Sequence, residues 1–435
     1  MARALDSSLQ TITFRDIIQR TAQHTDKFIS LSLPSGKQIG SIIELSCDYF
    51  LLMFYTRKQL EEFEAQQLAP YGCHSRDSKG RAYPEDEPAY RTAFQRDRDR
   101  ILHTTAFRRL EHKTQVFITY EGDYYRTRLT HTLEVAQIGR TMARALGANE
   151  DLIEAICLAH DLGHSPFGHS GEVALNRLMK DHGGFDHNKQ SLRIVTEMEE
   201  RYPDFPGLNL TWEVREGIVK HETEYDIADA SDYNPQLRGH LEAQIANIAD
   251  ELAYTAHDLD DGLRSGMVTT DMLEGITLWE ILTQRINWEG PPLKELTHHR
   301  LIRELIGMLV TDVLETTDQT IRTSGIQSVE ALQRLDYPVA TPGEEMRRRS
   351  RQLKDFLYAN LYRHPRVVRM QDKSERVIEE LFHAYRAEPD MLPRHIQKQI
   401  DQIGLERTIC DYIAGMTDRF AIEEYMKLFD PTVKP

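Results

Sequence analysis

The sequence predicts an all-α protein with a helical core and an additional helical region towards the C-terminus. From about residue 90 onwards, apolar residues recur at i, i+3 and i+4 spacing. Alternating β-branched runs are rare, and ITF and QVFITY are the strand-like pieces. The chain contains neither a GxxxxGK[ST] loop nor a GxGxxG turn, which argues against phosphate binding by a P-loop or a Rossmann turn.

We divide the 435 residues into four segments. Residues 1–52 do not resemble the rest, and two explanations stay open: an extra segment of unknown role, or codons included by a start placed upstream of Met53. Residues 53–89 are predicted to form an N-terminal helix and an irregular connector. Residues 90–275 form the predicted helical core, and residues 276–435 the C-terminal helical region.

Composition narrows the class of protein. The formal net charge of −16 argues against general adhesion to nucleic acid or to an anionic membrane. The most apolar window, IIELSCDYFLLMFY, is too short and too charged to span a bilayer, and residues 1–30 lack the apolar segment of a secretory signal. We therefore predict a cytoplasmic protein. The scattered cysteines fit a reducing compartment and no thiolate zinc site: Cys47, Cys73, Cys157 and Cys410.

The stretch AHDLGHSPFGHSG is the most informative part of the sequence about function. The apolar run before it places Ile153, Ile156 and His160 on one helical face, so His160 should point into the core. Glycines and a proline follow and should end the helix, which would let His160 and Asp161 approach one ion. Divalent metals need four to six ligands, so this pair needs partners from elsewhere in the chain.

Two further residues are candidates for that role. His131 shares an apolar helical face with Val135, and Asp250 shares one with Ala246 and Ala253. A buried aspartate is rarely left without a partner, and small neighbours leave room for something to approach it.

Together, His131, His160, Asp161 and Asp250 would offer two imidazoles and two carboxylates to one divalent ion. The alternative is a buried His–Asp hydrogen-bond network without metal.

Additional histidines follow the central pair. His164, His169 and His187 suggest phosphate contact or proton transfer, because imidazole titrates near neutral pH. For His187 an ordinary surface position stays equally open, and for His182 and His257 we favour the surface position.

Basic residues cluster upstream of the central stretch. Arg128 lies three residues before His131, on the same predicted helical face, where a guanidinium beside a metal suggests an anion between them. Arg96, Arg98 and Arg100 alternate with aspartates, and we interpret them as solvated or ion-paired.

These motifs resemble a known family. The segments TAFRRLEHKTQVF, GDYYRTRLTHTLEVAQIGR, LAHDLGHSPFGHSGE, GGFDHNKQSLRIV, LNLTWEVREGIVKH and IADELAYTAHDLDDGL are similar to those of the deoxyguanosine triphosphate triphosphohydrolases. That family belongs to the HD-domain phosphohydrolases. The resemblance runs from about Met53 to the C-terminus.

The resemblance implies hydrolysis of a deoxynucleoside triphosphate, dGTP above all, to the deoxynucleoside and inorganic tripolyphosphate. The alternatives are another HD-type nucleotide phosphohydrolase or a non-catalytic dNTP sensor. Tyr254 and Asp258 favour a deoxyribose and so argue against a guanosine polyphosphate hydrolase.

The resemblance also implies roles for individual residues. The metal ligands would be His131, His160, Asp161 and Asp250, and the residues around the α-phosphate would be His164, His169, His187 and Arg128. Gln115 and Asp258 would meet the sugar 3′-hydroxyl, and Tyr254 would pack against C2′. We favour His169 as the acid for the leaving 5′-oxygen or as the group that orients the attacking water.

The expected cofactor is one divalent ion, with Mg²⁺, Mn²⁺, Fe²⁺, Co²⁺ and Ni²⁺ all compatible with two histidines and two aspartates. The resemblance implies a homo-oligomer, since family members often form hexamers. The resemblance also suggests single-stranded DNA as an effector, but the acidic composition does not support DNA binding. No membrane partner is expected.

Overall fold

The computed structural model describes residues 54–115, 125–221 and 233–434, all within one compact unit, Phe54–Pro435. Regular secondary structure in these ranges is helical, which confirms the predicted all-α class. Pairing between extended segments is limited there to two isolated bridges, Arg81 with Thr211 and Thr114 with Thr127. Residues 1–52 and the strand-like pieces, apart from Gln115, lie outside the described residues.

The described helices fall into two series along the chain. The first is α1 (Arg57–Gln67), α2 (Ala93–Leu102), α3 (Thr105–Arg109), α4 (Arg128–Leu146), α5 (Glu150–Ala159), α6 (His169–Leu178), α7 (His187–Arg193), α8 (Trp212–Val219) and α9 (Leu241–Arg264). The second is α10 (Thr277–Arg285), α11 (Glu295–Ser324), α12 (Val329–Gln333), α13 (Glu344–Leu357), α14 (Pro365–Ala387), α15 (Arg394–Gln397), α16 (Ile400–Ile403), α17 (Leu405–Ala414) and α18 (Asp418–Phe429). None of these described helices is both long enough and apolar enough to cross a membrane.

Helix α5 lies at the centre of the core, packed against α2, α4, α8 and α9. Its first turn is capped by Asn149, whose side-chain oxygen accepts from the backbone N–H groups of Asp151 and Leu152. It ends at Ala159, and His160 follows as the C-cap residue. An apolar, buried helix thus brings the His160–Asp161 pair into the interior, as the sequence predicts.

Helices α4 and α9 complete the frame around this helix end. The Thr127 side chain caps α4, which places His131 in its first turn. Helix α9 is 24 residues long and packs against both α4 and α5. Asp250 lies within α9, so the three helices can bring their polar side chains to one point.

Two apolar clusters organise the described residues. The larger runs from Cys73 to Val367, so Leu278 of α10 and Leu301 of α11 pack into the same core as the helices around His160. The smaller joins α6 to α14, α17 and α18. Residues beyond 275 therefore contribute to both apolar clusters.

Two buried side chains, Lys113 and Asp418, hydrogen-bond to the loop that follows His160–Asp161. The Lys113 ammonium group donates to the backbone oxygens of His164 and Ala414. The Asp418 carboxylate accepts from the backbone N–H of Phe167 at 2.8 Å and from that of Thr114 at 2.9 Å. Each bond joins distant parts of the chain, so α17 and α18 help to fix the loop.

The same loop lies close to its neighbours because it contains glycine. A Cβ added at Gly163 would lie 2.3 Å from both the His187 oxygen and the Ser191 nitrogen, which are backbone atoms. Side-chain rotation cannot relieve such a contact, so only glycine allows the loop to approach α7 this closely.

We expect Gly163→Ala to displace the loop and to destabilise the protein by about 1–3 kcal/mol, the usual range for overpacking. Gly307→Ala is the matched control, because the same added carbon meets open space on α11. It should stabilise the fold by about 0.5–1 kcal/mol through helix propensity. Denaturant unfolding measures both changes, and a Gly163→Ala protein as stable as the wild type would contradict the close-approach argument.

We expect Asp418→Asn to destabilise the protein by about 1–3 kcal/mol, because the new amide must turn an N–H group towards a backbone donor. Asp418 is buried, whereas Asp401 is exposed, so Asp401→Asn serves as the control with little expected change. Thermal unfolding of the two variants under identical conditions makes the comparison. Equal melting temperatures would show that Asp418 does not hold the loop.

Candidate active site

Four residues predicted as metal ligands lie together where α4, α5 and α9 meet. His131 Nε2 is 2.8 Å from Asp250 Oδ1, and His160 Nε2 is 3.7 Å from the same oxygen. His160 Nε2 is also 3.5 Å from Asp161 Oδ2. The ligand atoms of His131, His160 and Asp250 all lie within 4.8 Å of one another, so one ion could contact them together.

The hydrogen bonds of His160 provide a test of whether this set suits a metal. Its Nδ1 atom is 2.6 Å from the backbone oxygen of Cys157. A carbonyl oxygen only accepts, so Nδ1 carries a proton, and in the neutral imidazole Nε2 then has the lone pair. Nε2 is buried and has no hydrogen-bond partner among the described residues. A buried nitrogen that lacks a hydrogen-bond partner and faces two carboxylates fits a ligand to a divalent ion.

The two carboxylates remain charged despite their burial. Burial alone would raise the pKa of Asp161, but Arg128, His160 and His131 outweigh it and hold that pKa well below its usual range. The pKa of Asp250 is likewise low, because burial, which would raise it, is outweighed by the neighbouring His131, His221 and His160. Both aspartates can therefore act as anionic ligands near neutral pH.

Arg128 is buried at the same point. Its Nη1 atom donates to Asp161 Oδ2 at 2.9 Å. The sequence assigns Arg128 to a phosphate contact, and the structure places it directly on one of the predicted metal ligands. A phosphate group that approached the centre would meet this cation next to the Asp161 carboxylate.

The additional histidines form one group beside the metal-ligand set. His164 and His187 are buried and stacked, with ring centroids 4.1 Å apart, and His164 Nε2 is 3.7 Å from Asp161 Oδ1. His169 begins α6 and its side chain is 60% exposed, with its ring centroid 6.3 Å from that of His164. Of the two positions left open for His187, the structure gives the buried one.

Glu172 joins these histidines, and the sequence reasoning missed it. Its Oε1 atom accepts from the backbone N–H of His187 and lies 2.9 Å from His187 Nδ1, while Oε2 lies 3.2 Å from His169 Nδ1. Burial would raise its pKa, but the two histidines lower it well below the usual range. The available signal was its position three residues after His169, on the same helical face.

Tyr254 and Asp258, two of the residues assigned to the sugar, lie on α9 and contact Tyr362, which the sequence reasoning missed. The Tyr362 hydroxyl donates to Asp258 Oδ2 at 2.7 Å, and the hydroxyls of Tyr254 and Tyr362 bond to each other. Burial raises the pKa of Asp258 well above its ordinary value. Gln115 contributes a buried side-chain oxygen without a hydrogen-bond partner among the described residues. Tyr362 follows α13, about a hundred residues later, and only folding reveals its contact.

Two histidines outside the predicted set also contact the proposed ligands. His221 Nε2 is 3.5 Å from Asp250 Oδ2. His257 Nδ1 is 3.1 Å from His131 Nδ1, and burial lowers the pKa of His257 to about 4 although Glu134 opposes this. The surface position favoured for His257 was wrong, because its face of α9 packs against α4 and leaves it 2% exposed. The surface position of His182 is confirmed.

The arginines set aside in the sequence analysis are ion-paired, as interpreted there. Arg96 and Arg100 each lie 2.7 Å from Glu85, and Arg98 lies 2.8 Å from Asp151. They hold the connector and α5 in place and do not form part of the site.

Comparisons with known proteins agree with this geometry. A family model described as the HD domain matches residues 128–255, and one described as a phosphohydrolase-associated domain matches residues 340–427. Relatives from several organisms carry the name deoxyguanosinetriphosphate triphosphohydrolase-like protein. That of Geobacter sulfurreducens is 51% identical over 86% of this chain and 97% of its own length. Those of Ralstonia nicotianae and Deinococcus deserti are each 50% identical, over 83% and 87% of this chain and 94% and 98% of their own lengths.

The first matched region begins at the first residue of α4 and ends within α9, so it includes every predicted metal ligand. Identity of about one half over most of the chain extends the likeness to the helices around that region. The chain therefore belongs to the deoxyguanosinetriphosphate triphosphohydrolase-like family of HD-domain hydrolases.

Proposed function

We propose that the protein is a metal-dependent triphosphohydrolase that converts deoxynucleoside triphosphates, dGTP among them, to the deoxynucleoside and inorganic tripolyphosphate. The observation that carries this proposal is the close approach of His131, His160 and Asp250, whose ligand atoms lie within 4.8 Å of one another. Asp161 lies 3.5 Å from His160, and a group of three histidines lies beside it. The name of the relatives supports dGTP as a substrate.

We assign the divalent ion to His131, His160, Asp161 and Asp250. The buried Nε2 atom of His160, which has no hydrogen-bond partner among the described residues, and the short distances from both histidines to Asp250 support that assignment. A bound ion would supply Lewis-acid polarisation of an α-phosphate oxygen.

The residues on the phosphate side bind the anion and handle protons. Arg128 adds a fixed positive charge next to Asp161, and an N–H group of His164 can donate to a phosphate oxygen. His187 donates from Nδ1 to Glu172, so it can donate to phosphate from Nε2 only when its ring is protonated. His169 is the exposed member of the group and can reach a bound substrate, while the Glu172 carboxylate holds its Nδ1 atom. We assign His169 either to the proton that the leaving oxygen needs or to orientation of the attacking water.

The proposed reaction breaks the bond between the α-phosphorus and the 5′-oxygen. Water adds its oxygen to the α-phosphorus, and the 5′-oxygen leaves as the hydroxyl of the deoxynucleoside after taking a proton. The oxygen from water therefore ends in the tripolyphosphate.

Recognition of deoxyribose is assigned to Tyr254, Asp258 and Gln115. Tyr254 lies one turn after Asp250 on α9, so the two residues share one face of the helix. The bond from Tyr362 holds Asp258, and Asp258 Oδ1 is buried without a partner among the described residues. A sugar hydroxyl could satisfy that atom and the buried oxygen of Gln115.

Product analysis tests the proposal directly. Purified protein is incubated with each dNTP and each NTP, alone and mixed, with Mn²⁺ or Mg²⁺, in water enriched in ¹⁸O. We expect a deoxynucleoside, and tripolyphosphate that carries the label. Pyrophosphate or orthophosphate as the first product would indicate another HD-type phosphohydrolase. Nucleotide binding without turnover would indicate a sensor.

Asp161→Ala should reduce turnover by at least about 10²-fold, because it removes a proposed metal ligand and leaves Arg128 without its carboxylate. Asp181→Ala, at an exposed position, is the control and should keep full activity. Metal content and product formation are measured on the same preparations. An Asp161→Ala protein with normal metal content and turnover would overturn the ligand assignment.

Tyr254→Ala should relax the preference for dNTPs over NTPs by about tenfold or more, because the ring that excludes a ribose 2′-hydroxyl is lost. Tyr254→Phe keeps the ring, removes the hydroxyl that bonds to Tyr362, and should retain most of the preference. The measurement is the ratio of kcat/KM for dGTP and GTP. An unchanged ratio in Tyr254→Ala would place sugar discrimination elsewhere.

A further inference from the structure

A row of four side chains runs from the proposed metal site to the protein surface. Asp250 Oδ1 is 2.8 Å from His131 Nε2, and His131 Nδ1 is 3.1 Å from His257 Nδ1. His257 Nε2 is in turn 2.5 Å from Glu134 Oε2. The two histidines are buried, whereas the Glu134 side chain is 46% exposed.

Glu134 is held in place at the outer end of this row. It lies three residues after His131 on α4, so the two side chains project from one face of the helix towards His257 on α9. The Arg126 guanidinium donates to Glu134 Oε2 at 2.9 Å and also contacts Asp260 at 3.1 Å. The carboxylate is therefore anchored although it faces solvent.

The direction of each hydrogen bond follows from what the groups can do. An ionised carboxylate only accepts, so His257 Nε2 donates to Glu134. A ligating His131 Nε2 carries no proton. If His257 Nδ1 also carried a proton, it would donate to His131 Nδ1, which would then have to accept. A ligating His131 would then carry no proton on either nitrogen and would be an imidazolate. His131 Nδ1 therefore donates to the lone pair of His257 Nδ1.

We propose that His257, oriented by Glu134, is a positioning residue that fixes the Nδ1-protonated tautomer of His131 and keeps its Nε2 lone pair on the metal side. This inference rests on the proposed metal site. A histidine that binds a metal through one nitrogen usually donates its other N–H to a carbonyl or carboxylate. Here a second imidazole, that of His257, accepts the N–H of His131. The Glu134 carboxylate in turn fixes the orientation of His257.

The two proposed histidine ligands are thus oriented in different ways. His160 donates to the backbone oxygen of Cys157, an acceptor that is present whatever the side chain at residue 157. His131 depends on two side chains, so single substitutions can change its orientation. Residues 134 and 257 therefore influence metal affinity without being metal ligands.

The test uses the full-length protein and Mn²⁺ as the probe. His257→Leu fills similar space but leaves His131 Nδ1 without an acceptor, and we expect the Kd for Mn²⁺ to rise by about 10–100-fold. His257→Gln can accept from His131 through its carbonyl oxygen and donate to Glu134 through its amide, so it should restore affinity to within a few-fold of the wild type. The control is His298→Gln, because His298 is also buried but pairs with Asp260, 3.0 Å away.

Mn²⁺ binding is followed by the electron paramagnetic resonance signal of the free ion, and thermal unfolding of the metal-free proteins shows whether each variant is folded. Affinity in His257→Leu within twofold of the wild type overturns the proposal, and so does a His257→Gln protein as weak as His257→Leu. If His257→Leu does not fold, Glu134→Ala decides, because Glu134 is half exposed. Its affinity should fall several-fold, and an unchanged affinity overturns the proposal.

The Mn²⁺ affinity test of His257 can be distinguished from the product analysis that tests the proposed reaction. A wild-type protein that binds Mn²⁺ but forms no tripolyphosphate refutes the triphosphohydrolase function, while the affinity ratios still decide the role of His257. A wild-type protein without a measurable Mn²⁺ site overturns both the metal assignment and the inference built on it.

Discussion

The packing of α4, α5 and α9 forces carboxylates and imidazoles into a space from which water is largely excluded. Two buried anions in such a place would be very costly if they were alone. Here Asp161 is paired with Arg128 and surrounded by histidines, and Asp250 lies 2.8 Å from His131 Nε2 and 3.5 Å from His221 Nε2. The three helices can therefore pack in this way because neighbouring arginine and histidine side chains compensate the charges of the two aspartates.

The need to compensate carboxylate charges also explains the distribution of polar groups around the site. The charge of Glu172 depends on His169 and His187, and that of Glu134 on His257 and Arg126. Every histidine near the centre has a defined neighbour on at least one nitrogen. Such networks orient side chains as well as stabilise them, which is what a site for a multiply charged substrate requires.

The C-terminal region contributes to the site from a distance. Lys113 and Asp418 bond the loop after His160–Asp161 to α17 and α18, and α6 packs into the apolar cluster formed with α14, α17 and α18. Tyr362, which follows α13, reaches Asp258 on α9. These helices are thus part of the support of the site, in agreement with the matched phosphohydrolase-associated region at residues 340–427. The central helices alone would leave that loop without its buried partners.

The sequence by itself determined the helical class, the end of α5 at the His160–Asp161 pair and the four residues that meet there. These features follow from local properties, namely apolar periodicity, capping residues and glycines, together with motifs that cover most of the chain. Only the tertiary structure decided that His257 is buried, that Arg128 contacts Asp161, and that Glu172, Tyr362 and Asp418 belong to the surroundings of the site. The physical reason is that burial and hydrogen bonding depend on which helix faces pack together. Periodicity shows that a helix has a buried face, but it does not show which neighbour covers it.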